Sequence, residues 1–527
     1  MCRFLFSLAL ALIVSVVSAP ILSNPANTQN LGFSGSANSV QEVLSPPATN
    51  LPLIHGAYQF TFDNVSLSKS EDMGLIGGNY LFANRFGYVG LGIYGAVTGD
   101  RGGFFTGGLH AGKNIPLFDG YYFDGNLFLG GGGGGSAPQG GGLMLRGALG
   151  LGKQVGDNQY FLGVSKVSFP NGDIESSQVT FAYGYKFSSL YFPGWLSASY
   201  DSPRWENILR EKRISNQQLS MQILNYYPGN GVSGRNSKVH EDVLSTLGIR
   251  FSHKLNRLLW GEFETAGAMG GGIDGFAQVL GGFSLKHMLF SKVGLSTGWL
   301  LGAAGGGNVD TGGGMITRVY TGVEYFLFRR WSTYLQFGYT TTPDGGFYAK
   351  TMNLNIVYNF SDFSYKTHLI SQKESGRIKW RNLRIRPGVQ KYTFYDKPSR
   401  KFPHQKDLDV DLTNLKLDAF FNTRWYFTGQ ALGAFRGKAG GYAVGLIGPG
   451  VQINRYIGFE LPIGVAGGGG IAVGSGKIVQ PMLNFELPHS RSWASELSAG
   501  YIKAMDDSLS AFVFNIGLVY RFSRPYI

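Results

Sequence analysis

Ala511-Phe512-Val513-Phe514-Asn515-Ile516-Gly517-Leu518-Val519-Tyr520-Arg521-Phe522 is the stretch whose reading decides the fold. Side chains along an extended chain alternate between two faces. Phe512, Phe514, Ile516, Leu518, Tyr520 and Phe522 therefore share one face, and Ala511, Val513, Asn515, Gly517, Val519 and Arg521 the other. Large apolar groups set against small or polar ones fit a strand with lipid on one side and a barrel lumen on the other. A strand of a soluble sandwich alternates in the same way, so composition has to separate the two. Of 527 residues 80 are Gly, aromatics make up 14% and charged residues only 15%. An ordinary soluble chain carries roughly half that share of Gly and about a quarter charged residues. Scarce charge with many Tyr and Phe favours the lipid-facing reading.

The same pattern recurs upstream. Asn353-Leu354-Asn355-Ile356-Val357-Tyr358-Asn359-Phe360-Ser361 matches the terminal motif, and Thr180-Phe181-Ala182-Tyr183-Gly184-Tyr185-Lys186-Phe187-Ser188 is a third copy. Tyr185, Tyr358 and Tyr520 lie 173 and 162 residues apart, and Gly131, Gly305 and Gly467 precede them by 54, 53 and 53 residues. Three glycine tracts locked to three matching motifs indicate a triplication. Asn515, Gly517, Tyr520 and Phe522 also occupy the places of the C-terminal assembly signal of bacterial outer-membrane β-barrel proteins, which this stretch resembles. Five residues, Ser523 to Ile527, follow the last aromatic, where that family usually stops. The resemblance implies a transmembrane antiparallel barrel, delivered to the outer membrane by the barrel-assembly machinery and bathed in lipid and lipopolysaccharide.

Each unit parses into about eight strands; in the first they run over 55–67, 73–86, 88–97, 103–115, 120–131, 142–154, 159–168 and 178–187. Twenty-four strands at about 19.5 residues each suit tilted membrane strands of 9–11 residues with their turns. The expected organisation is a signal peptide over 1–18, an N-terminal periplasmic or plug segment over 19–53, and units over 54–187, 217–360 and 377–527, with linkers 188–216 and 361–376. Two architectures fit: a single 24-strand circle, or three eight-stranded barrels in tandem. Loss of the signal Gly at Ala182 and Asn355 favours the single circle, since internal units that never close alone would be free of that constraint. Such a bore needs obstruction, for which 24–53, 188–216 and 361–376 are candidates; Arg204, Trp205, Ile208, Arg210, Lys212 and Arg213 would suit a short amphipathic helix. The glycine tracts, with Gly140–Gly142 and Gly312–Gly314, fall at the outer end of the fifth strand and its return, where they permit curvature or close approach to the backbone.

Arg3 followed by the apolar run Phe4 to Val17 and then Ser18 reads as a secretory signal, so the only Cys, Cys2, leaves with it. That excludes disulfides and thiolate chemistry in the mature chain. No later run is apolar enough for a membrane helix, leaving the closed barrel as the way to span a bilayer.

The chain carries a formal net charge of +13. Arg377, Lys379 and Arg381 alternate and would lay a basic ladder on a lumen wall; Arg384 and Arg386 join it only past a bulge. Such a wall favours anionic solutes or polysaccharide as cargo. Against it, a hairpin centred on Phe394 would set these three opposite Asp411, Asp409 and Asp407 and cancel the field. Lys397, Arg400, Lys401, His404 and Lys406 fall in a long outer loop over 391–406, matched in the second unit by 225–242. The eight His show no metal-ligand spacing, and no nucleophile elbow or P-loop stands out, so no catalysis, cofactor, metal or nucleic acid is expected. The reading is an outer-membrane pore or export/uptake channel. Its rivals are a structural or adhesive surface barrel with a non-conducting lumen, and a lipid-modifying enzyme.

Overall fold

In the computed structural model the described residues are 53–68, 71–195, 212–237, 239–240, 242–328, 330–365, 379–395, 401, 409–506 and 508–526. The signal and N-terminal segments, Arg204 to Arg210, Arg377 and the loop cations Lys397, Arg400, His404 and Lys406 lie outside them. Among the described residues every element is a strand.

Strands β1 (Leu53–Val65), β2 (Met73–Asn84), β3 (Gly87–Ala96), β4 (Phe104–Pro116), β5 (Tyr121–Gly134), β6 (Leu143–Val155), β7 (Asn158–Ser168) and β8 (Glu175–Leu190) form an antiparallel meander. These bounds fall within three residues of the alternation reading. The first strand then pairs with the eighth, from Leu53 against Leu190 to Asp63 against Thr180, and the sheet closes. A two-residue strand, β9 (Phe192–Pro193), follows in the linker.

The second barrel comprises β10 (Lys212–Pro228), β11 (Leu244–Lys254), β12 (Leu259–Gly270), β13 (Ala277–Phe290), β14 (Val293–Gly305), β15 (Met315–Phe328), β16 (Trp331–Thr341) and β17 (Tyr348–Tyr365), closed by β10 on β17. The third comprises β18 (Lys379–Phe394), β19 (Val410–Phe420), β20 (Trp425–Arg436), β21 (Ala443–Gln452), β22 (Ile457–Glu460), β23 (Ile463–Gly467), β24 (Lys477–Val479), β25 (Met482–Pro488), β26 (Trp493–Ala504) and β27 (Ser510–Tyr526), closed by β18 on β27. Here β22 and β23 are one span interrupted at Pro462, and β24 and β25 one span interrupted at Pro481, where the ring removes a donor without shifting register.

The single 24-strand circle is thus corrected to three closed eight-stranded barrels. The residues that argued for the circle explain why it fails. Ala182 and Asn355 point into their lumens, where Ala182 is buried and Asn355 donates to Gln336. The position demands only a side chain that fits the interior, so losing Gly does not prevent closure.

Outward faces carry the apolar belts. Phe512, Phe514, Ile516 and Leu518 are about half exposed or more, as are Leu149, Leu162 and Val179 on the first barrel and Phe283, Leu354 and Ile356 on the second. Closed sheets with every strand paired and apolar groups outside are what a bilayer requires of a spanning protein.

The three barrels form a ring. The β5–β6 side of barrel 1 packs on β19–β20 of barrel 3, β14 of barrel 2 on β3 of barrel 1, and β23 of barrel 3 on β12 of barrel 2. In each case the fifth span of one barrel meets the third span of the next. A head-to-tail contact repeated three times closes a pseudo-threefold ring. The glycine tracts are the contact surfaces. A Cβ on Gly131 would lie 2.8 Å from the Gly433 carbonyl oxygen, and one on Gly305 2.6 Å from Gly102 backbone. Gly441 N–H donates to the Gly132 carbonyl at 3.0 Å, and Gly102 N–H to the Gly312 carbonyl at 2.9 Å. Backbones this close leave no room for side chains, which gives the constant spacing of the tracts a physical cause.

Candidate functional site

Each lumen is filled in two layers. Toward the long-loop end lies an apolar cap: Val65, Tyr94, Phe104, Phe128 and Met144 in barrel 1, Tyr226, Phe276, Leu300 and Phe347 in barrel 2, Tyr392, Leu412, Tyr442 and Val513 in barrel 3. Beneath it lies a layer of charges, nearly all paired inside the barrel.

Barrel 1 has the sparsest layer. Arg146 pairs with Asp63 at 2.8 Å and donates to Thr180 at 2.9 Å and to Asn126 at 3.1 Å, while Ser165 donates to Asp63. Asp124, the second buried carboxylate, accepts from Tyr88 at 2.8 Å and Asn126 at 2.6 Å. Barrel 2 buries three cations and three carboxylates. Arg250 and Arg318 both hold Glu264, Lys286 holds Glu262 at 3.0 Å, and Glu324 accepts from Gln218 and Ser332.

Barrel 3 buries four of each. Arg386 contacts Asp418 at 2.8 Å, Glu496 at 2.7 Å and Glu460; Arg384 contacts Asp418 at 2.6 Å and Glu486. Lys416 holds Glu496 at 3.1 Å, and Arg521 holds Glu486. Both arginines also lie over the Tyr426 ring, whose hydroxyl donates to Glu460 at 2.9 Å.

The proposed basic ladder is dispersed. Arg384 and Arg386 face the lumen without a bulge, in the layer just described. Arg381 is on the opposite phase and reaches Tyr358 of barrel 2, donating to its hydroxyl at 3.1 Å. Lys379 begins β18, and its side chain lies outside the described residues, as does Arg377. The hairpin is centred near residue 401, with Leu383 opposite Ala419 and Lys391 opposite Asp411, instead of on Phe394. That register sets Arg384 beside Asp418, and a buried cation requires such a partner. Asp409 instead meets exposed Lys391 at 2.8 Å, and Asp407 is outside the described residues.

The assembly-signal residues split in function. Asn515 donates to Glu496 in the lumen, and Gly517 lies opposite Gly388. Tyr520 and Phe522 point outward yet are buried: the Tyr520 ring lies tilted against Trp493 with centroids 4.7 Å apart, and Phe522 pairs with Pro193 of β9. The linker after barrel 1 is therefore fastened to barrel 3, with Trp195 donating to the Leu383 carbonyl at 3.0 Å. His110 sits in the barrel 1 lumen against Asn126 at 3.2 Å, its equivalent place in barrel 2 is taken by Ser284, and His287 faces outward. Among the described residues no group of His, Cys, Asp and Glu is placed to hold a metal.

Sequence reading missed the carboxylates that fill the lumens, Glu262, Glu264, Asp418, Glu460, Glu486 and Glu496. Their available signal was a rare charge on the small-residue phase of an otherwise apolar strand, as in Trp260-Gly261-Glu262-Phe263-Glu264.

A void of about 2230 Å³ opens at the short-turn end. It lies on both sides of the barrel 1 wall, bordered inside by Gln59, Asn79, Tyr88, Asp124 and Gln159, and outside by facing surfaces of barrels 1 and 2. The lower lumen of barrel 1 is thus a vestibule that ends at the Arg146–Asp63 layer.

No family model and no curated protein matches the chain. Among solved structures, the siderophore receptor PirA from Acinetobacter baumannii aligns at 9% identity and a TM-score of 0.26, over 90% of this chain and 81% of that one. A ferric enterobactin receptor mutant from Pseudomonas aeruginosa gives 8% and 0.26 over 89% and 81%, and the KdgM porin 9% and 0.14 over 57% and 98%. At TM-scores this low the likeness carries no argument, and the fold rests on the strand register of this chain itself.

Proposed function

We propose that the protein is an outer-membrane channel in which barrel 1 is the conduit and barrels 2 and 3 are its scaffold. The observation that supports this is the vestibule of barrel 1. It enters the lumen from the short-turn end and is stopped by one Arg-centred layer and an apolar cap, whereas the lumens of barrels 2 and 3 carry lattices of four and eight ion pairs. An eight-stranded interior is just wide enough for side chains to fill. The conduit is therefore closed at rest and passes small solutes when it opens; polysaccharide passage through a wide bore is not part of this reading. The vestibule carries Lys186 and Asp124 on its lumen wall and Asp157 in the adjoining turn, so neither sign of cargo is favoured. The expected setting is the bacterial outer membrane, with short turns in the periplasm and assembly through the barrel-assembly machinery.

Planar-bilayer recording of the refolded mature chain tests the reading. Wild-type protein should show rare, small steps, and Asp63→Ala combined with Arg146→Ala should raise both step size and open time. Silence from both proteins, each folded by gel heat-modifiability, would overturn the conduit. It would favour the rival suggested by the three caps: a non-conducting surface scaffold acting through its loops.

A further inference from the structure

The outer part of the void is a cleft between barrels 1 and 2. Toward the long-loop end the two barrels touch: Gly95 lies where a Cβ would be 3.0 Å from the Ala303 methyl, and Arg235 pairs with Asp100 at 2.7 Å. Toward the short-turn end they part. The facing walls are outward-pointing and apolar, with Phe60 and Ile76 on barrel 1 and Phe283, Trp299 and Leu301 on barrel 2. These side chains remain between 39% and 60% exposed, although they face a neighbouring barrel. Water has few polar partners on such walls, and an empty cleft forfeits its dispersion contacts.

The mouth of the cleft is basic. Arg85 sits in the β2–β3 turn, and Lys254 and Arg257 border the β11–β12 turn. Arg524 of barrel 3 points in beside them and donates to Ser189 at 3.0 Å. The whole void is lined by six Lys and Arg against three carboxylates. Two of those, Asp124 and Glu262, are buried inside lumens and engaged there by Tyr88 and Lys286.

We propose that this cleft binds an anionic phospholipid of the leaflet at the short-turn end, its acyl chains against Phe60, Phe283 and Trp299 and its phosphate on Arg85 and Arg257. The inference rests on the outer-membrane reading above. Charge complementarity selects the head group, since guanidinium groups bind phosphate through paired N–H donors and basic pockets between spanning elements hold lipid heads. An apolar slot continuous with the belt selects the chains.

Two glycines offer a test that leaves the fold intact. Gly78 and Gly281 lie on opposite walls with room for a side chain: the nearest atom to an added Cβ is 3.8 Å away at Gly78 and 4.0 Å away at Gly281. The full mature chain would be inserted into phosphatidylcholine vesicles containing phosphatidylglycerol, extracted in mild detergent and examined by native mass spectrometry with phosphorus assay. Wild-type protein should retain phosphatidylglycerol selectively. Gly78→Phe with Gly281→Phe should lose most of it, as should Arg85→Glu with Arg257→Glu, whereas Val164→Phe on the open belt should keep it. Equal retention by the cleft-filled and wild-type proteins would overturn the proposal, as would a lipid-free wild-type chain or a dimer that shields the cleft. Failure of the chain to insert at all would instead overturn the membrane reading and the cleft with it.

Discussion

Barrels 1 and 3 share a strand plan and a motif, yet they solve the interior differently. Barrel 1 spends few charges: Arg146, Asp63 and Asp124 are the only Lys, Arg, Asp or Glu side chains fully buried in its lumen among the described residues. Barrel 3 threads four cations through four carboxylates, with Arg386 touching three of them. The difference teaches that a closed eight-strand wall does not dictate its filling. A sparse layer leaves a vestibule, and a dense lattice locks the lumen. A buried charge is stable only while its partners remain, so a dense lattice is also the more fragile to single substitutions.

The largest expected effect follows from that lattice. Arg386→Leu strands Asp418, Glu460 and Glu496, and should cost about 5 kcal/mol or more, against about 3–5 kcal/mol for Arg146→Leu in barrel 1. Urea titration of each variant in vesicles, read by tryptophan fluorescence and gel mobility, would rank them. An equal or reversed order would break the comparison between the two interiors.

A smaller effect should come from the ring contact between these barrels. Gly131→Leu places a side chain against the Gly433 and Ala434 carbonyls and should cost about 1–3 kcal/mol through forced separation of the backbones. Gly147→Leu, whose nearest neighbour is the flexible end of Leu127 at 3.4 Å, should cost less. If both substitutions are equally mild, the glycine tracts are not holding the ring.

The smallest effect belongs to a charge pairing of barrel 3 that remains in water. Asp409→Asn removes the exposed partner of Lys391 and should change stability by less than about 1 kcal/mol, and less still at high salt. A cost comparable to that of Arg146→Leu would mean that the outer hairpin is as important as the lumen.

Much of this was legible beforehand because strand alternation is local. Whether Phe514 points out and Asn515 points in follows from the pleat alone, and the repeat of Tyr-x-Phe-Ser endings counts the units. The ladder was misread for the same reason. Arg381 and Arg384 are three apart and so sit on opposite faces, and nothing local says which face is the lumen. The Phe394 hairpin failed because register across a long loop depends on which partners the interior needs. The glycine tracts were visible as a pattern, but their purpose lies on another barrel, 210 and 302 residues away in the contacts of Gly102 with Gly312 and Gly131 with Gly433.

By itself, then, the sequence determined the all-β class and the strand bounds of the first unit, since alternation depends on spacing within a few residues, and matching motifs along the chain pointed to three units. Only the tertiary structure decided that eight strands close in each unit, that the interior cations meet carboxylates, and that glycines join the barrels into a ring. Closure depends on the first and last strands of a unit meeting edge to edge, and pairing across a lumen depends on distance in space. Neither is written in the order of neighbours along the chain.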